Sequence, residues 1–186
     1  MIKSRLFFAL LFSSIWLAST SMVSATTDGE KSDIAPPSNA LQLHGEYLLE
    51  YLWVDVYRAR LYLPQGFQGD VLSPAVSKSL QLTYLYPLKR EELIEAAWIT
   101  LERQHSPTLL ASLRDEIDQL HQRFSAIKPD DRYQLSYDSQ QQSLTLLFND
   151  EAVFRSQNPA LAQVYLGIWL GEKGLSEKLR SALLKQ

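Results

Sequence analysis

The sequence predicts an α+β domain in which helices cover one face of an antiparallel sheet. Three observations carry this. Several short runs alternate apolar and polar residues with period two, separated by turn residues. Other, longer runs place apolar residues three and four apart, the spacing of one helix face. The helical runs come in pairs and not as single crossovers between strands, which favours antiparallel neighbours over a doubly wound parallel sheet.

The strands come first. Glu46–Trp53 is aliphatic and aromatic and reads as a strand. Val54–Leu63 alternates, with Asp55, Tyr57, Ala59, Leu61 and Leu63 on one side and Val56, Arg58, Arg60 and Tyr62 on the other. Pro64-Gln65-Gly66 stops it. Leu80, Leu82, Tyr84 and Tyr86 alternate with Gln81, Thr83 and Leu85, and Pro87 ends that strand. A helix follows over Arg90–Gln104, striped by Leu93, Ile94, Ala97, Trp98 and Leu101. Ser106-Pro107 is an N-cap followed by proline at the first helical position. Leu109, Leu113, Ile117, Leu120 and Phe124 then share one helical face. Lys128-Pro129-Asp130-Asp131 breaks the chain. Tyr133–Tyr137 and Leu144–Phe148 form a hairpin around a turn at Asp138–Gln142, and Asn149-Asp150 leads to a short strand over Ala152–Arg155. Asn158-Pro159 opens a further helix whose buried side holds Leu161, Tyr165, Ile168 and Trp169. Gly171 closes it, and Ser176 caps a last helix through Leu184.

The domain organisation reads as three segments. Residues 1–25 have Lys3 and Arg5 at the start, an apolar run over Leu6–Leu17, and small residues ending in Val23-Ser24-Ala25. This is the pattern of a secretory signal peptide cleaved after Ala25. Residues 26–40 are polar and aperiodic, a disordered lead. Residues 41–186 form the single folded domain. Export without any Cys suits a bacterial periplasm, so the expected location is periplasmic. The apolar run is short for a membrane span, so no span is expected after cleavage.

Composition narrows the function. The 186-residue chain has no Cys, which excludes a disulfide framework, a thiolate zinc site and a Cys nucleophile. Its formal charge is −3, and −5 without residues 1–25, with Lys and Arg scattered. A nucleic-acid binder normally carries a basic face, so no nucleic-acid partner is expected. No nucleophile elbow, zinc-helix motif, phosphate loop or dinucleotide fingerprint occurs. His44, His105 and His121 lie too far apart in sequence to give a metal spacing and read as solvent or boundary residues. No metal or other cofactor is expected. The carboxylate groups Glu91-Glu92-Glu95 and Asp115-Glu116-Asp118 read as solvated helix faces. Asp55, on a mostly apolar strand side with Tyr57, calls for a partner or a sheet-end position. Arg58 and Arg60 share a strand face suited to a carboxylate, or simply to solvent. Trp53, Trp98 and Trp169 read as core, or as walls of an apolar pocket.

Three stretches together resemble bacterial chalcone isomerase-like proteins. Val54-Asp55-Val56-Tyr57-Arg58-Ala59-Arg60-Leu61-Tyr62-Leu63-Pro64 is similar to that family's "VY-x-A-x-LYLP" strand. Ile168-Trp169-Leu170-Gly171, with Ser176, Leu179-Arg180 and Leu183-Leu184, is similar to its "IWLG" segment and terminal helix. Leu82–Gln104 fits its strand running into an amphipathic helix. The resemblance covers about residues 41–185. It implies an open-faced β-sandwich, a large antiparallel sheet covered on one face by helices, with a ligand cleft between the layers. Some members cyclise chalcones, and others bind fatty acids.

Family positions carried over by resemblance give candidate ligand-binding residues Tyr57, Leu93, Thr100, Ile168 and Trp169. The enzymes' strand arginine has no counterpart in Gly45–Trp53. Their strand threonine falls near Tyr57, and their helix tyrosine and asparagine fall near Leu93 and Thr100. Cyclisation builds charge on an enolate oxygen, which needs positioned donors or a cation. The candidate residues offer few donors and much apolar surface. The expectation is an exported protein that binds a small apolar or amphipathic ligand such as a fatty acid, without chalcone isomerase activity and with no catalytic residue assigned. The alternatives are an isomerase or intramolecular lyase on another substrate, needing Asp55 or an Arg beside Tyr57, and a non-catalytic envelope interaction protein.

Overall fold

The computed structural model describes residues 41–185, so the signal peptide and the lead over 26–40 lie outside the described residues. The elements run β1 (Leu41–Tyr51), β2 (Val54–Pro64), β3 (Lys78–Tyr84), α1 (Arg90–Gln104), α2 (Pro107–Ser112), α3 (Arg114–His121), β4 (Arg132–Asp138), β5 (Ser143–Phe148), β6 (Glu151–Ser156), α4 (Pro159–Leu170) and α5 (Glu177–Leu184). The six strands form one sheet in sequence order, every neighbouring pair antiparallel. The α+β reading therefore holds.

The period-two pattern sorts the faces. In β2, Tyr57, Ala59, Leu61 and Leu63 are buried under the helices, while Arg58, Arg60 and Tyr62 alternate to the open face. Val56, expected on the Arg58 side, is buried instead: the β1–β2 register shifts between Leu49 and Glu50, so Val56 is the extra residue of a bulge and the alternation breaks there. Both arginines pair there with Glu46 of β1, at 2.7 Å for Arg58 and 2.5 Å for Arg60. The Arg60 hydrogen bond is the main reason the Glu46 carboxyl is held below its ordinary range. Arg58 and Arg60 are thus solvent-face residues. Asp55 is exposed at the strand end, away from any interior partner.

The helix starts follow capping chemistry. Ser106 Oγ accepts from the Leu109 N–H, Asn158 Oδ1 from Ala160 and Ser176 Oγ from Leu179. Glu92 accepts the Lys89 N–H at the start of α1. α5 lies on β1 because Gly45 has no side chain. A Cβ there would fall 2.7–2.8 Å from the C and Cα of Leu183 and closer still to its carbonyl oxygen.

Three further expectations are corrected. The single helix expected over Leu109–Phe124 is two, α2 and α3, broken at Leu113. The Ser112 hydroxyl donates to Leu109 O, the acceptor that Leu113 N–H would use in a continuous helix, and Leu113 bonds to Leu110 O instead. Leu113, Ile117 and Leu120 remain buried, so the apolar stripe survives the break. Trp53 is not core: it is 93% exposed in the two-residue turn between β1 and β2. His121 is not a boundary residue: it is buried four residues after Ile117, on the same helix face.

Candidate functional site

Sheet and helices meet in an aromatic layer at one end of the strands. From the sheet come Tyr57 of β2, Tyr84 of β3, Tyr133 of β4 and Phe148 of β5. Tyr57 and Tyr84 are register partners with ring centroids 5.6 Å apart, and Tyr133 and Phe148 are partners at 4.8 Å. Tyr84 meets Tyr133 diagonally at 6.3 Å. From the helices come His121 of α3 and Tyr165 and Trp169 of α4. His121 touches Trp98, Phe124 and Tyr165, and Tyr165 touches Trp169. The contacts divide between edge-to-face and tilted geometries, and none is a face-to-face sandwich, which the ring quadrupoles disfavour.

The layer is apolar in bulk but carries polar atoms. His121 Nε2 and the Tyr165 hydroxyl form a buried hydrogen bond of 2.9 Å. The Tyr133 hydroxyl accepts from the Ser125 N–H at 2.8 Å. Three further atoms, the Tyr57 hydroxyl, Trp169 Nε1 and His121 Nδ1, are buried with no hydrogen-bond partner. Burial pushes the Tyr57 hydroxyl far above the tyrosine range. The neighbouring Trp169 indole opposes that shift without completing a hydrogen bond. Burial likewise raises Tyr84 and Tyr165, and it depresses His121 to about 4. All these groups are neutral at pH 7. Buried polar groups without partners are uncommon and costly, about 1–3 kcal/mol each. Two donors from opposite layers, neither of them hydrogen-bonded, are chemically matched to a carboxylate, carbonyl or hydroxyl oxygen as acceptor.

The structure brings Tyr57 and Trp169 together and treats the other candidates differently. Thr100 is fully buried, but its hydroxyl already donates to Ala96 O at 2.9 Å within α1. Ile168 is buried in the core. Leu93 is half-buried against the core from the first turn of α1. Asp55, Arg58 and Arg60 do not converge on Tyr57. The sequence reading missed Tyr84, Tyr133 and His121 as members of the layer. The register partner of Tyr57, and the four-residue step from Ile117 to His121, were the available signals.

A groove of about 730 Å³ opens on another face of α1, between it and α2–α3, lined by Trp98, Glu102, His105, Leu110, Arg114 and Asp115. Arg114 stacks over Trp98 at 4.7 Å and pairs with Asp118 at 2.7 Å. No group of His, Asp and Glu among the described residues could hold a metal ion. Among them, no helix is long and apolar enough to cross a membrane.

A family model described as chalcone isomerase-like matches residues 26–185. The chain belongs to the chalcone isomerase-like family. No curated protein matches the sequence. Among solved structures, this chalcone isomerase-like chain is similar in fold to a fatty-acid binding protein of Arabidopsis thaliana. The TM-score is 0.58 at 15% identity, covering 79% of this chain and 88% of that one. At that identity the likeness concerns the fold. In this family member the layer between sheet and helices is occupied by its own aromatic side chains.

Proposed function

We propose that this chalcone isomerase-like protein is a non-catalytic binder of a small apolar or amphipathic ligand, such as a fatty acid, taken up between the sheet and the helices. One observation carries the reading: the Tyr57 hydroxyl and Trp169 Nε1, brought in from opposite layers, are buried, adjacent and without a hydrogen-bond partner inside a largely aromatic layer. An amphipathic ligand would give both donors an acceptor, while Ile168 and Leu93 would face its chain. The likeness to a fatty-acid binding protein supports the ligand class. A cyclising enzyme would need a cation or several donors at the developing oxyanion. Here Thr100 is committed to its own helix, and Arg58 and Arg60 are paired on the opposite sheet face.

Native mass spectrometry of the purified protein, before and after organic extraction, tests this directly. The expected result is a co-purifying species with a lipid-range mass that extraction removes and added oleate restores. A bare protein mass together with no saturable binding of oleate overturns the reading. We also propose export to the periplasm by residues 1–25. Amino-terminal sequencing of the protein from a periplasmic fraction is expected to begin at Thr26, and an uncleaved chain retained with the cytoplasm would refute it.

A further inference from the structure

Two hairpins of this sheet share one turn geometry and fill it with opposite chemistry. β5 and β6 are joined by Asn149-Asp150, with Phe148 paired to Glu151 and φ of 48° and 72° at the two turn residues. β1 and β2 are joined by Leu52-Trp53, with Tyr51 paired to Val54 and φ of 46° and 70°. Both turns need the left-handed region at two successive positions. Asn and Asp tolerate it, whereas large apolar side chains are strained there. Leu52 and Trp53 are also the most exposed large apolar residues among those described, at 65% and 93%. Immediately behind them Glu50 is paired across the strands with Asp55, both exposed, an arrangement of like charges that disfavours the hairpin. Strained backbone, solvated apolar side chains and facing carboxylates therefore coincide at one tip, and none of them helps the isolated fold. Strain of this kind persists only where the surrounding structure holds it, here the paired strands, and it clusters at functional positions.

We propose that the β1–β2 tip is a membrane-contact point, with Leu52 and Trp53 entering the headgroup–acyl boundary of a zwitterionic bilayer. The exposed apolar patch is a hairpin tip only a few side chains wide, far less than a stable protein interface presents. An indole at the point of a hairpin suits the interfacial zone, where its apolar ring and its N–H are both accommodated. Charge selects the lipid. With the tip immersed, the Glu50 and Asp55 carboxylates lie at headgroup level, where they meet the outward ammonium groups of phosphatidylcholine or phosphatidylethanolamine and are repelled by anionic lipid. Leu85, also exposed, donates its N–H to Val56 O and adds apolar surface beside the base of the hairpin. This role is independent of what the interior binds.

The test is co-sedimentation with sucrose-loaded phosphatidylcholine vesicles, read alongside indole emission with bromine-labelled acyl chains. The wild-type protein is expected to pellet with the vesicles, and its emission to shift to the blue and be quenched. Trp53→Ala should weaken vesicle partition by about tenfold with an unchanged melting temperature. The double variant Leu52→Asn with Trp53→Gly, which installs the preferred turn pair, should melt higher and bind vesicles no better than Trp53→Ala. Phosphatidylglycerol vesicles should bind more weakly than phosphatidylcholine at low salt, and Glu50→Gln with Asp55→Asn should remove that difference. Absence of wild-type co-sedimentation, or partition unaffected by Trp53→Ala, overturns the proposal. So does a blue shift that depends on protein concentration and needs no vesicles, which would assign the tip to a second copy of the chain.

Discussion

His121 and Tyr165 join α3 to α4 through a buried hydrogen bond of 2.9 Å between the imidazole Nε2 and the phenol oxygen. The bond sits in the aromatic layer, and the imidazole stays neutral because burial depresses its pKa to about 4. Asp118 works against that shift, while Arg90 and Arg114 reinforce it.

The first prediction follows from that depressed value. Between pH 6.5 and 4 the unfolded chain protonates this imidazole and the folded chain does not. Stability is therefore full above about pH 6.5 and falls as pH drops towards 4, by roughly 3 kcal/mol from this group. Thermal melts of wild type and His121→Gln across pH 7 to 4 check it. The variant should be less stable at pH 7, and its curve should lack this part of the acid loss. Parallel curves would show that His121 does not titrate as described. Glu46, held low by Arg60, contributes its own acid loss only below its ordinary range, and does so in both proteins.

Removing the Tyr57 hydroxyl separates stability from binding. Tyr57→Phe deletes a buried, unpartnered polar atom. The ligand-free protein should be unchanged or stabilised by about 1 kcal/mol, while affinity for oleate should fall. Trp169→Phe should act in the same direction on affinity. Denaturant melts and oleate titrations on the same preparations read both effects. Loss of stability with unchanged oleate affinity would remove Tyr57 from the site.

Lys78 is buried on the helix-facing side of β3. Its ammonium donates to Ser73 O at 2.8 Å and lies over the Tyr137 ring at 4.8 Å. Burial pushes its pKa down to about 8. From pH 8 to about 10.4 the unfolded chain holds a proton that the folded chain has released, so stability rises with pH in that window. Lys78→Met is expected to fold, to be at least as stable as wild type at pH 7, and to lose that advantage above pH 8. Melts at pH 7 and pH 9.5 decide it. The buried tyrosines oppose stability at higher pH equally in both proteins.

Gly45→Ala tests the seat of α5 on β1. The new methyl would overlap backbone atoms of Leu183, which cannot swing aside as a side chain can. The expected loss is about 1–3 kcal/mol or more, with α5 exchanging amide hydrogens faster while the β3–β5 amides stay protected. Wild-type stability in this variant would show that α5 does not pack where described.

Much of the architecture was legible because its causes are local. Ser106-Pro107, Asn158-Pro159 and Ser176 cap helices through side chains within three residues of the N–H groups they satisfy. The alternation in Val54–Leu63 sorted Tyr57 from Arg58 without any tertiary information. Ser112 defeated the single-helix expectation because its hydroxyl competes for the Leu109 carbonyl, which the apolar period does not reveal. Trp53 defeated the core expectation because hydrophobicity says what burial would gain and not whether anything stands opposite. His121 defeated the boundary expectation because one polar residue beside an apolar stripe is usually solvated. Only the rotation of α3 onto α4 puts Tyr165 within reach.

By itself, the sequence determined the α+β class, the succession of strands and helical regions and the two faces of β2 from Tyr57 onward, since period and capping are properties of neighbouring residues. Family likeness also pointed to Tyr57 and Trp169. The tertiary structure alone decided that these two donors meet without partners, that Thr100 is tied to its own helix, that Arg58 and Arg60 pair with Glu46 on the far face, and that Leu52 and Trp53 stand in water. Each of those depends on what lies across a layer or beyond a turn, at distances set by strand register and helix packing.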